Sequence, residues 1–374
     1  MTPDTLIARA LCADALWPDG MDAASVQTRA VYHGVTGLLV ARMAHLTGWP
    51  DDLLRQLRAE ALAQTMWEVR HRSILVPLLA ALDAEGVQAV LLKGTALAYG
   101  LYPAPAQRAR GDTDLLVTPD DLDRTRDILI AQGFVTDLKM AEQNDPERQE
   151  SWTFTAPDGG RHEVDLHVDV FSSPAVQPVL QGTQVQDSAV SLPALCPVAR
   201  TLPAPLALLH ACVHRAQHVV SPYSVAGEWH YGGDRLIWLV DIDLLVRAMT
   251  PEQITTFETA ATQGGVGAIC AAALRMAADH LGTPCPDGLI TTLERAPSGP
   301  AARYLLQSNS MGRVIEDLAA IPGLRAKLHH AALRLFPPAD TLRTRYPDLA
   351  EAAPMRLYLR RLSGVLTRRG GDST

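Results

Sequence analysis

The chain has 374 residues, 47% of them hydrophobic, and a formal net charge of −8. Such a length and apolar content allow a substantial core and about two to three structural units. The acidic balance argues against a general nucleic-acid binder, which carries a basic face.

Five scattered cysteines (Cys12, Cys196, Cys212, Cys270 and Cys285) form no CxxC pair, which suits reduced thiols better than a disulfide framework. No apolar run approaches the roughly 18 residues of a membrane span, and the N-terminus lacks the basic-then-apolar order of a signal peptide. A soluble, cytoplasmic protein is therefore expected. Residues 1–84 read as a helical subdomain. Pro3-Asp4 can start a helix, and Ala24–Leu46 and Asp51–Ala84 carry apolar residues at three- and four-residue spacing. In the second of these Leu54, Leu57, Ala61, Leu62, Met66 and Val69 follow that rhythm, and Pro77 is expected to kink or divide the helix. No chemistry is legible in this part.

Glu85-Gly86 ends the helices and opens an α/β unit, residues 85–202. Val87–Leu92 reads as a strand that delivers Lys93, Gly94 and Thr95 into a turn, followed by a short helix to Leu101. Lys93 is one of only three lysines, with Lys139 and Lys327, and a charge beside leucines needs a reason. Pro103 and Pro105 force an irregular connection. The run Asp112-Thr113-Asp114-Leu115-Leu116-Val117 is a second strand; side chains alternate along a strand, so Asp112 and Asp114 share one face with Thr113 opposed. Thr118-Pro119-Asp120-Asp121 starts a helix that runs to Gln132 and stops at Gly133.

A β-hairpin follows: Ser151–Thr155, a turn at Ala156-Pro157-Asp158-Gly159-Gly160, and Arg161–Val170. Glu163, Asp165, His167 and Asp169 share one face of its second strand. Two readings stand: an edge strand with a solvated face, or a strand beside Asp112 and Asp114 that lends them a third carboxylate, with Asp165 preferred over Glu163 and Asp169. Residues 171–202 read as a connector or a loop over the site.

Residues 203–374 are again helical. His210, His214 and His218 recur at every fourth position on Leu206–Val220 and lie on one helical face. With no intervening Glu of the HExxH type, they read as packing, as the lining of a polar cleft or, least, as metal ligands. Ser221–Gly233 reads as a flexible loop. On the helix Asp234–Met249, Asp241 and Asp243 diverge by about 200° and cannot chelate together; Asp241, among Leu and Val, needs a partner, with a histidine of the preceding helix a candidate. From Pro251 to Leu366 the pattern stays helical without chemistry, and the tail from Arg368 reads as disordered.

The order LLKGTALA, RARGDTDLLV, a Pro-initiated helix ending at QGF, and EVDLH resembles the nucleotidyltransferase superfamily with the DNA-polymerase-β-like fold, closest to its poorly characterised bacterial nucleotidyltransferase proteins. The resemblance covers roughly residues 25–250 and implies an α/β (α+β) fold: a small mixed sheet flanked by helical N- and C-terminal parts. It implies that Gly94-Thr95 takes the place of the superfamily's Gly-Ser turn, which holds the triphosphate, that Asp112 and Asp114 bind magnesium, and that Asp165 completes the site. The gap of 16 residues between Thr95 and Asp112 is longer than the superfamily usually shows.

The expected reaction is Mg2+-dependent transfer of a nucleoside monophosphate from a nucleoside triphosphate to a hydroxyl-type acceptor, with pyrophosphate released. Two ions are expected, Mn2+ being an alternative, clamped by Asp112, Asp114 and Asp165. Lys93, Arg108 and Arg110 are candidates for neutralising the triphosphate, with a pair to a structural acid the equal alternative for Arg110; His167, His214 and His218 are candidates for an acceptor cleft. The acceptor could be a small molecule, a peptide or an RNA end; neither a membrane nor extended nucleic acid is expected. The alternatives are a phosphotransferase of the same fold using the γ-phosphate and a non-catalytic nucleotide-binding or scaffold protein.

Overall fold

A computed structural model describes residues 1–136, 149–220, 223–225, 228–230, 233–307, 309–335, 339, 342–343, 349 and 352–367. Helices α1 (Pro3–Cys12) and α2 (Ala23–His33) each begin on a side-chain cap, Thr2 and Asp22. The expected second helix ends early because Gly34 turns left-handed at φ 69°; Thr36–Ala41 and a 3-10 turn at Met43–His45 complete that stretch. Helix α3 spans Asp51–Ala84 without division. Pro77 and Ser73 are both exposed, so the carbonyl that Pro77 leaves without an amide can face water, while Leu75, Leu78, Leu79 and Leu82 bury the opposite side. Earlier in α3 the apolar rhythm misleads: Leu57 is buried, but Leu62, Met66 and Val69 are exposed.

The central sheet has six strands in the order β3-β4-β2-β1-β6-β5: β1 (Val90–Leu92), β2 (Asp112–Leu116), β3 (Gln149–Thr155), β4 (Arg161–His167), β5 (Val190–Ser191) and β6 (Arg200–Thr201). Helix α4 (Lys93–Leu101) leaves β1 directly, and α5 (Leu122–Ala131) follows β2 through a 3-10 turn capped by Thr118. The expected hairpin is β3–β4, antiparallel. Its second strand runs parallel to β2, with Asp112 opposite Glu163 and Asp114 opposite Asp165. Residues 171–202 do more than connect: β6 pairs with β1 at Leu91 and Thr201, and β5 pairs with β6, so this stretch extends the sheet. Buried Val176, Val179, Leu180 and Val185 anchor it in the core.

The two faces of the sheet pack differently. Leu91, Leu115, Val164 and Leu166 meet the C-terminal half of α3 together with Leu129 and Trp152. Val90, Leu92 and Leu116 face the other way, into a core shared with α6 (Ala204–Val220), α7 (Leu236–Ala248), α8 (Pro251–Gln263) and α9 (Gly267–Leu281). A third cluster joins α1, α2 and the start of α3 to Leu236–Val240 of α7. Between α6 and α7, Tyr223–Val225 and Glu228–His230 form a small antiparallel hairpin in place of the expected loop. Tyr231, Lys139, Pro337-Pro338 and the tail 368–374 lie outside the described residues. Among the described residues no helix is long and apolar enough to cross a membrane.

Candidate active site

Alternation along β2 puts Asp112, Asp114 and Leu116 on the face toward α6, and the parallel register brings Asp165 of β4 level with Asp114. Leu116 enters the core, while the acids stand at the end of the strand where β1 turns into α4. Ligand atoms of Asp114, Asp165 and His167 lie within 4.8 Å of one another. Three residues from two neighbouring strands thus form a compact donor set of the kind that holds a divalent cation. His167, expected in an acceptor cleft, donates from Nε2 to Asp114 Oδ1 at 2.9 Å.

The same oxygen accepts from Lys93 Nζ at 2.7 Å. Lys93 reaches it from a left-handed backbone, φ 46°, the single such non-glycine conformation among the described residues. Asp165 is held from the hairpin side by Ser151 Oγ at 2.7 Å and Gln149 Nε2 at 2.6 Å, partners absent from the sequence reading.

Electrostatics separate the three acids. Burial opposes the charge of Asp114, but Lys93 and His167 outweigh it and hold the carboxyl well below the usual range. Asp165 goes the other way: burial, then repulsion from Asp112 and Asp114, pushes it up to about 7. Burial and the Asp114 charge also raise Asp112. Raised acids around one lowered acid indicate a cluster with less positive charge than its carboxylates call for. A divalent cation fits this donor set.

Behind the strand the polar groups form a connected chain. Thr113, fully buried, lies 2.7 Å from both His71 Nε2 and the Thr95 hydroxyl. Thr95 also accepts from Arg110 Nε at 2.8 Å, and Arg110 pairs with Glu68 of α3 at 2.7 Å. Tyr99 donates to the same Glu68. Burial, with Arg110 and His162 nearby, lowers His71 to about 3, so its ring is neutral. The Thr95 hydroxyl therefore serves this chain. Glu68 and His71 were missed in the sequence because a carboxylate and an imidazole on a long charged helix read as solvated surface; the apolar residues spaced around them were the available sign.

Arg108 crosses instead to Asp241 on α7, at 2.7 Å, and Tyr102 donates to Asp241 at 2.6 Å. The partner of Asp241 is this pair, not a histidine, because Arg108 carries a full charge into a site where burial keeps the α6 histidines neutral. Both arginines close over Gly94: a Cβ there would stand 3.0 Å from Arg108 Nη1 and 3.2 Å from Arg110 Cδ, so a side chain at this position would crowd both. His214 and His218 share a 2.9 Å contact between their Nε2 atoms, and both pack against Trp238. His210 and His214 line a narrow cavity with Lys93, Arg108 and Asp241. Burial, with Lys93 nearby, lowers His210 to about 3 and His218 to about 4.

A model of the uncharacterised nucleotidyltransferase family matches residues 19–282. No curated protein matches the chain. The matched span holds the turn at Gly94, the two strands that carry the acids and the helices that grip both arginines, and on that breadth the chain belongs to the uncharacterised nucleotidyltransferase family.

Proposed function

We propose that the protein is a Mg2+-dependent nucleotidyltransferase that moves a nucleoside monophosphate from a nucleoside triphosphate to a hydroxyl acceptor and releases pyrophosphate. The observation that carries this reading is the donor set Asp114, Asp165 and His167, with ligand atoms within 4.8 Å of one another, beside Lys93 and the Gly94-Thr95 turn. These three residues would hold a divalent ion, and Asp112, on the same strand face, would contribute to a second. A bound divalent cation would supply neutralisation of the phosphate charge and acidify the acceptor hydroxyl.

The chain's own groups supply the rest. Asp165, level with Asp114 across the two strands, would be the group that takes the acceptor's proton. The amides that open α4 at Gly94-Thr95 would bind terminal phosphates, and Lys93 would neutralise them. Arg108 and Arg110, each committed to a buried acid, would act by fixing the turn; any direct phosphate contact would come at the expense of those pairs. His214 and His218 would line the acceptor side as neutral rings. We place the catalytic unit at residues 85–202, held between helical parts 1–84 and 203–374. The five free cysteines suit a cytoplasmic setting. The acceptor would be a small molecule, a peptide side chain or an RNA end, and the net charge of −8 favours the smaller ones.

The test uses triphosphates radiolabelled at the α or the γ position, with Mg2+ and a panel of hydroxyl acceptors. Label moving from the α position together with pyrophosphate release is the expected result. Transfer from the γ position would establish a phosphotransferase in its place.

A further inference from the structure

The arrangement around Lys93 carries an inference that rests on the metal-site reading above and goes beyond it. Asp114 belongs to the donor set, yet its Oδ1 accepts from both Lys93 Nζ and His167 Nε2. A lysine ammonium 2.7 Å from that carboxylate stands where a nearby dication would repel it strongly.

Three features distinguish Lys93 from the other cations of the site. Its side chain is 23% exposed, against 9% for Arg108 and 1% for Arg110, so it has room to move where the arginines do not. It meets its carboxylate through one point contact, whereas Arg108 is clamped by two bonds to Asp241. It also sits on the left-handed residue between β1 and the Gly94-Thr95 turn, at the boundary between the acid cluster and the phosphate cradle.

We propose that Lys93 is the resident counter-ion of the acid cluster, and that its ammonium leaves Asp114 for the phosphates when the nucleotide arrives with its divalent cation. A cation then faces the carboxylates in both states: one ammonium before, one dication after. Metal alone binds weakly because it must evict the lysine with nowhere for the charge to go. Metal with nucleotide binds tightly because the phosphates receive it. Lys93 thereby couples metal and nucleotide binding and keeps the free enzyme from holding an idle ion.

Mn2+ binding, followed by the loss of free-ion signal in electron paramagnetic resonance, tests this without any turnover. Lys93→Met keeps the length of the side chain and removes its charge; Lys93→Gln repeats the test should the thioether variant fold poorly, and circular dichroism checks both. Without nucleotide, either variant should bind Mn2+ roughly tenfold or more tighter than the unmodified protein. A non-hydrolysable triphosphate should tighten Mn2+ binding several-fold in the unmodified protein and by less in the variants. Equal or weaker Mn2+ binding by folded Lys93 variants would overturn the inference while leaving the metal site standing. If Asp165→Asn, added to Lys93→Met, does not weaken Mn2+ binding, the metal-site reading itself has failed.

Discussion

Two of the chain's Asp-x-Asp pairs, 112/114 and 241/243, lead into aliphatic runs, and the fold uses them in opposite ways. On strand β2 the first pair shares a face and crowds against Asp165. On helix α7 the second pair diverges: Asp241 turns inward to Arg108 and Tyr102, while Asp243 turns outward to Arg247 and Thr283. Asp241 meets a bidentate, immobile guanidinium and an additional hydroxyl, which completes its charge. Asp114 meets one lysine and one imidazole among other acids. Identical letters become a strut in one place and part of an acid cluster in the other because periods of 3.6 and 2 send alternate residues to different neighbours.

The comparison breaks if the two pairs respond alike to loss of charge. The largest effect is expected at Asp241: Asp241→Asn leaves Arg108 buried without its acid and should cost about 3–5 kcal/mol of stability in denaturant unfolding. Asp114→Asn should instead leave a folded protein whose pyrophosphate release falls by roughly 100-fold or more. Unfolding by Asp114→Asn, or full activity in a stable Asp241→Asn, would erase the distinction. On the rear of β2, Thr113→Val removes the hydroxyl shared by His71 and Thr95 and should cost about 1–3 kcal/mol, with Thr113→Ser recovering most of it. Asp243→Asn, at a part-exposed pair, should stay within about 1 kcal/mol.

A pH titration sharpens the same contrast. Asp165 is raised in the folded chain from 3.8 to about 7, so between those values the native state holds the proton that the unfolded chain has lost. Its contribution in the metal-free protein is therefore present at low pH and lost as pH rises toward 7. Mn2+ affinity should run the other way, strengthening as pH climbs to about 7 because the ion must displace that proton. Calorimetric Mn2+ titrations at several pH values would show it, and a flat profile would remove Asp165 from the donor set.

Much of this was legible in the text of the chain. Strand alternation in DTDLLV and the Pro-Asp-Gly-Gly turn of the hairpin are local signals, and the strands and the shared face of Asp112 and Asp114 followed from them; Asp165 beside that pair was one of two readings, supported by the family resemblance. Pairings across long separations were not legible. Nothing near Arg108 names Asp241, and nothing near Thr113 names His71, because each partner is chosen by packing of elements over a hundred or about forty residues apart. The two-residue strands Val190–Ser191 and Arg200–Thr201 are too short to carry a period. Leu62, Met66 and Val69 kept a helical rhythm but meet no partner surface among the described residues. Periodicity reports what could be buried, and tertiary packing decides what is.

The long link between the Gly94-Thr95 turn and β2 has a consequence for how this unit can be inherited. Its residues act as a clasp fastened on both sides: Arg108 hooks the helix at Asp241, and Arg110 hooks the helix at Glu68. Cutting the sheet out as a free-standing module would strand both guanidiniums. The fastening makes α3, the sheet and α7 a single heritable piece, in which change at Glu68 or Asp241 is felt at the turn without touching it.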